Sequence, residues 1–218
     1  ADFRYFKYEK GLLRPDGQPG FSTPSGRIEL VPSIFTAWGI PPYPVYTPAP
    51  ETWETTPEVM EELPFYMVNG SRSYEFFHTE HRMAQTMREF HPDPLIEIAP
   101  ELANEQGLKE GDCVCVENQR GRCRQRVKIT AGLNPRYVMG EHGWWFPEGD
   151  RERLYGVFDS NINNLTTQCN IGQSGYGAPY NGLLCRIYPC TDQNSAVLPT
   201  EQVIEKGGFD YERQHLDL

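Results

Sequence analysis

The chain has 218 residues, with 30 acidic against 20 basic side chains and a formal charge of −10. It is long enough to bury a full core without staples. A surface of this sign repels a phosphate backbone, which disfavours nucleic-acid binding as the main role, and no apolar run approaches the roughly 18 residues of a membrane span.

Ala1 leads directly into FRYFKYEK, an aromatic alternation typical of a strand, which suggests a processed chain or an excised fragment. Residues 1 to 31 alternate apolar runs with the turn clusters RPDGQPG and TPSG. Short strands joined by tight turns are predicted there, with GRIELVP as a strand ended by Pro32. From Trp38 to Pro57 the prolines Pro41, Pro42, Pro44, Pro48, Pro50 and Pro57 stand among Trp38, Tyr43, Tyr46 and Trp53. Proline density forbids a regular ladder, while four large aromatics are unlike a flexible linker, so an extended strap over the body is expected.

Pro64 to Val68 reads as a buried strand broken by Asn69-Gly70. Thr79 to Phe90 has no Gly or Pro and predicts a helix stopped by HPDP. LIEIAP alternates as a strand, and PELANEQG carries Pro100 and Gly107 at the two ends of a short helix. CVCVEN and RCRQRVKIT form a hairpin about Gly121. On its return strand Arg122, Arg124 and Arg126 share one face, read as solvated, while Cys123, Gln125, Val127 and Ile129 share the other. Cys113 and Cys115 also share a face, and with no second pair nearby packing is favoured over a soft-metal site. A strand from Arg136 to Met139, a Gly-His-Gly-Trp-Trp corner, the glycine-rich NIGQSGYGAP loop and a last strand GLLCRIYPC complete the order. Many short strands with few short helices predict a closed or nearly closed β-barrel.

The usual signatures of chemistry are missing. There is no G-x-S-x-G elbow, and the histidines lack H-E-x-x-H spacing, although His78 and His81 could share a helical face. NIGQSGYGAP has neither the glycine order nor the strand-to-helix context of a dinucleotide fingerprint. What remains is a set of donor-rich loops at strand ends: Gly70 to Ser73, His78-Thr79, Glu141 to Trp145, and Asn161 to Thr166. Brought to one rim they would suit a large ligand with heterocycles and phosphates, because carboxamides offer a donor and an acceptor together to pterin and guanine edges.

The succession TPSGRIELVPS, NGSRSYEFFHT, IEIAPELANEQGLKEGDCVCVENQRGRCRQRVKIT, GEHGWW, NINNLT and APYNGLLCRIY, spread from about Gly20 to Tyr188, resembles the carboxy-terminal part of molybdopterin oxidoreductases of the dimethyl sulfoxide reductase type. That resemblance implies a mainly β fold: a double-psi β-barrel of about six strands with short helices and long appended loops. It divides the chain into residues 1–62, a strap and remnant of a preceding domain; 63–190, the barrel that binds molybdopterin guanine dinucleotide; and 191–218, a polar tail. Gly70, Ser71, Arg72, His78 and Thr79 match the family loop that meets the cofactor after the first strand. His142, Gly143 and Trp144 match its Gly-Trp corner, and Asn163 matches the asparagine of N-x-L-T. Asn181 is carried over although many relatives have Lys or Gln near Tyr180-Asn181.

The resemblance implies, for the full-length enzyme, a bis-molybdopterin guanine dinucleotide holding molybdenum or tungsten for oxygen-atom or electron transfer; the fragment alone need hold none. Metal ligand, iron-sulfur cysteines and catalytic residues would lie upstream, so no residue here is assigned as catalytic or metal-binding. Implied partners are the remaining domains of the parent enzyme, an iron-sulfur electron-transfer subunit and a small-molecule substrate, in a prokaryotic cytoplasm or periplasm. The rival expectation is a stand-alone, non-catalytic barrel used for binding or assembly.

Overall fold

A computed structural model describes residues 6–70, 73–167 and 180–191. Their contacts divide into two units, one of residues 6–47 and one of 48–70, 73–167 and 180–191. In the first unit the expected strands are absent: the described residues up to Val31 are turns and bends, and the first regular element is helix α1, Ser33–Ala37. A strand needs a partner to take up its peptide groups, and here turns satisfy them locally instead. The Glu29 carboxylate, for example, accepts from the backbone of Ser25 and Ser33. Ile28, Leu30 and Val31, apolar residues of GRIELVP, are left exposed.

The second unit is a six-stranded closed barrel. Its strands are β1 Phe65–Asn69, β2 Leu95–Ile98, β3 Cys113–Asn118, β4 Gly121–Ile129, β5 Tyr137–Gly140 and β6 Leu183–Pro189. Around the wall they run β1-β5-β2-β4-β3-β6, the last closing on the first. The β1/β5 and β2/β4 pairs are parallel and the other four antiparallel. This mixed wall is the double-psi barrel that the resemblance implied.

Period-two alternation builds the core. Along β4 Cys123, Gln125 and Val127 are buried while Arg126 and Lys128 face out, as the sequence pattern requires. The arginine stripe meets protein groups: Arg126 donates to Asp93 at 2.8 Å, Arg124 lies 3.9 Å from Asp159, and Arg122 reaches the Tyr188 hydroxyl. Helix α3, Pro100–Gln106, opens on Pro100, closes on Gly107 at φ 64° and buries Leu102 and Ala103 in the barrel's core. Ile162 and Leu165, from a 3₁₀ turn, join the same core.

Residues 48 to 62 lie on the outside of this unit. Glu51 accepts from the Leu184 amide and pairs with Arg120, and Val59 and Met60 pack on Leu63, Tyr66 and Leu184. The predicted helix from Thr79 to Phe90 is shorter than expected, with α2 covering only Gln85–Phe90. His78 and His81 have left-handed backbones, at φ 56° and 70°, and a left-handed non-glycine residue interrupts a helix. For the same reason His78 and His81 do not share a helical face.

Candidate functional site

Parallel pairing makes β1 and β5 leave the barrel side by side. Asn69 is in register with Gly140, and the Gly70 amide donates to the Gly140 carbonyl at 2.8 Å. From the start of β6, Asn181 turns its side-chain oxygen to the Asn69 amide at 3.0 Å. Three loops far apart in the chain therefore open at one rim.

Arg82 ties two of them together. It is buried, with its guanidinium 3.9 Å from the Trp144 ring centroid and 4.3 Å from that of Phe76. From there it donates to the carbonyls of Gly143 (3.1 Å), His78 (3.1 Å) and His142 (3.3 Å). Burial pulls its pKa down to about 10; the charge of Glu141 opposes that shift and Arg88 adds to it. The group stays charged at neutral pH, held by aromatic faces and carbonyls. Above it His78 Nδ1 and His142 Nε2 are 2.9 Å apart and share a hydrogen bond.

The approach of the two loops is close enough to require a glycine. Gly143 has φ 68°, and a Cβ there would lie 2.8 Å from the Thr79 methyl. Its amide donates to Asn161 Oδ1 at 3.0 Å, and the same oxygen caps the 3₁₀ turn by accepting from the Asn163 amide. Trp145 closes the corner through its indole N–H to the Thr79 carbonyl.

Beneath this rim a second polar layer fastens the loop after β5 to the wall. Gln125, buried inside the barrel, donates to the carbonyls of Glu141 and Ser160 and accepts from the Glu141 amide. One oxygen of Glu141 accepts from the Trp144 indole at 2.7 Å and the Leu95 amide at 3.0 Å, and lies 3.0 Å from His91 Nε2. Burial disfavours the charged imidazole, but the hydrogen bond and charge of Glu141, with Glu75 behind, outweigh it and raise the His91 pKa.

Of the residues expected at a site, Gly70, His78, Thr79, His142 and Gly143 are brought together here. Trp144 is wholly buried, so its indole builds the floor beneath Arg82. Asn163 is exposed on the 3₁₀ turn, and Asn181 uses its oxygen on the Asn69 amide. Ser71 and Arg72 lie outside the described residues, as does most of the NIGQSGYGAP loop. Asn69, Arg82 and Gln125 were not singled out as site residues. The one signal for Gln125 was a carboxamide on the apolar face of a strand; Arg82 sat in a stretch read as helix.

A family model, described as the molydopterin dinucleotide binding domain, matches residues 65–183, more than half of the chain. The chain belongs to this family. It is 27% identical over 195 residues to a dopamine dehydroxylase of Eggerthella lenta, covering 86% of this chain and 19% of that one. It is 31% identical over 162 residues to acetylene hydratase of Syntrophotalea acetylenica (74% and 22%), and 29% over 172 residues to the dimethyl sulfoxide reductase DmsA of Escherichia coli (71% and 19%). The solved acetylene hydratase from Pelobacter acetylenicus matches the fold with a TM-score of 0.71 at 27% identity, over 81% of this chain and 25% of that one. This molydopterin dinucleotide binding domain thus spans only about a fifth to a quarter of these bacterial relatives, whose named activities differ. Among its described residues no group of three or more His, Cys, Asp or Glu could hold a metal ion, and no helix is long and apolar enough to cross a membrane.

Proposed function

We propose that the barrel grips the guanine-dinucleotide arms of a molybdopterin cofactor at the rim formed by Asn69-Gly70, His78-Thr79, His142-Gly143, Asn163 and Asn181, with Ser71 and Arg72 completing the first loop. The observation that carries this reading is Asn69, whose carboxamide oxygen is buried and has no hydrogen-bond partner among the described residues. A buried acceptor without a donor costs about 1–3 kcal/mol, a cost that an amino-bearing heterocycle at the end of β1 would remove. The donor set fits as well. Carboxamides at Asn69, Asn163 and Asn181 offer paired donors and acceptors to pterin and guanine edges, and the glycine at 70 lets the backbone approach a ligand.

When bound, the cofactor supplies oxygen-atom or electron transfer at its molybdenum or tungsten. The residues of this chain bind and orient it. Arg82 fixes the His78 and His142 carbonyls, Asn161 fixes Gly143 relative to Asn163, and the floor of Trp144, Phe76 and Phe146 keeps water from the underside of the loops. In this reading residues 63–190 are the cofactor domain, 1–62 the remnant of a preceding domain and 191–218 a tail. The exposed Ile28, Leu30, Val31 and Tyr46 support an origin of the first part in a larger body. The parent protein is then an oxidoreductase of which this chain positions the cofactor, working with its other domains and an electron-transfer partner.

The test is to change Arg72 and Asn163 to Ala separately in the full-length enzyme and to measure metal and pterin content beside activity. Retained cofactor and activity should fall together; unchanged metal and pterin in both variants would remove the site assignment.

A further inference from the structure

We propose that Cys113, Cys115 and Cys190 form a thiol–disulfide switch on the β3/β6 seam, in which Cys113 and Cys190 close a cross-strand disulfide by exchange with a low-molecular-weight disulfide. The sequence separates Cys190 widely from the other two, but the fold does not. β3 and β6 run antiparallel with Val114 opposite Pro189 and Cys115 opposite Tyr188. One step further the same register sets Cys113 opposite Cys190, and the Cys190 amide donates to the Cys113 carbonyl at 2.9 Å. Directly opposed antiparallel residues have Cα atoms about 4.5–5.5 Å apart, inside the range a disulfide spans. The two sulfurs are already 2.8 Å apart, and Cys115, on the same face of β3 as Cys113, brings its sulfur to 3.5 Å from that of Cys190.

Access separates Cys113 and Cys190 from the buried Cys115, Cys123 and Cys185, and charge separates Cys113 and Cys115 from the last two. Cys123 and Cys185 are buried in the barrel, where burial pushes both thiols far up and keeps them protonated. Cys113 is only half-buried and lines an open cleft of about 180 Å³ together with Asp93, Arg124, Arg126 and Phe146. Arg126 and Arg124 stand opposite Cys113 and Cys115 across the β3/β4 pair. The proton shared with Cys190 brings the Cys113 thiol down to about 7 against the cost of burial, with Arg124 and Arg126 assisting and Asp93 opposing, while Cys190 is pushed up and stays protonated. An attacking thiolate near neutral pH and a resolving thiol in contact are the two parts that exchange requires.

The exchange balances in two steps. The Cys113 thiolate attacks one sulfur of the small disulfide RSSR, forming a Cys113–SR mixed disulfide and expelling RS⁻. Cys190 then gives up its proton and attacks the Cys113 sulfur, expelling the second RS⁻. Two protein thiols are oxidised, one RSSR is reduced to two RSH, and Cys115 is left within reach of Cys190 to reverse or relay the bond. The result ties the first residue of β3 to the residue after β6, at the end of one antiparallel pair of the wall.

The full-length protein is equilibrated anaerobically with glutathione and glutathione disulfide at rising ratios, quenched in acid, alkylated, digested with trypsin and mapped by mass spectrometry. The expected product joins the peptide Glu110–Arg120 to the peptide Ile187–Lys206. Fragment ions should place the bond at Cys113, with Cys115 alkylated, and dithiothreitol should release it. In the Cys190→Ser variant Cys113 should instead accumulate the glutathione mixed disulfide. Separate alkylation of Cys113 and Cys190 at every ratio would overturn the proposal, as would a bond from either residue to a cysteine outside the three. The wild-type map decides the question even if the variant does not fold.

Discussion

Inside the barrel Met67, Ile96, Val114 and Leu183 are wholly buried and hold one another by packing alone. At the rim Arg82 and Gln125 are also buried but are held by hydrogen bonds to carbonyls of two loops and of Ser160. Packing is non-directional, so the wall tolerates any apolar residue of similar volume. The rim is directional, and each missing partner leaves a buried polar group at a cost of its own. The wall therefore sets whether the chain folds, and the rim sets where Asn69, His78 and Gly143 stand once it has.

The largest effect should come from the wall. Leu183→Ala is expected to lower stability by about 2–5 kcal/mol in urea denaturation, while the protein that still folds keeps its cofactor stoichiometry. Next is Gln125→Leu, which takes the Gln125 donor from the Glu141 and Ser160 carbonyls and leaves the Glu141 amide only its bond to the Leu95 carbonyl; it should cost about 1–3 kcal/mol while lowering retained pterin out of proportion. Equal pterin per folded molecule in these two variants would break the distinction.

Gly143→Ala should cost about 1–3 kcal/mol, the range for a side chain held at a disfavoured backbone angle, plus whatever the Thr79 methyl adds. Combining it with Thr79→Ser, which removes that methyl, should recover part of the denaturation midpoint but not all, since the backbone angle remains. Full recovery would mean that contact alone sets the need for glycine.

Smallest is the His91 contribution. Its pKa is raised in the folded protein, so the stabilisation is fully present below the ordinary histidine value and is lost as pH rises from there through the raised one. A loss of about 1 kcal/mol or less, the net worth of one hydrogen bond, is expected over that interval. His91→Gln should flatten it in denaturation curves taken across the neutral range.

Much of the wall was legible because its signals are local. LIEI, CVCVEN and the hairpin about Gly121 alternate with period two, and α3 carries Pro100 and Gly107 at its ends. The failures share a cause as well. GRIELVP has strand composition but no paired strand, and Thr79 to Phe90 has helix composition but a left-handed His81. Propensity counts side chains; it does not see the partner or the loop closure that overrides them. The cysteines make the same point: Cys113-x-Cys115 looked isolated because its third member lies just past the end of a distant strand.

Order and alternation along the chain were enough for a closed or nearly closed barrel, and the ordered motifs for a resemblance that implied about six strands and a cofactor-binding family, since both are carried by residues close together in sequence. Which donors stand at one rim, that Arg82 rather than an exposed arginine knots the loops, and that Cys190 meets Cys113 were decided only by tertiary structure. The parallel β1/β5 pair and the antiparallel β3/β6 pair join segments far apart in the chain, and no local pattern records which distant strand will satisfy a given strand's hydrogen bonds.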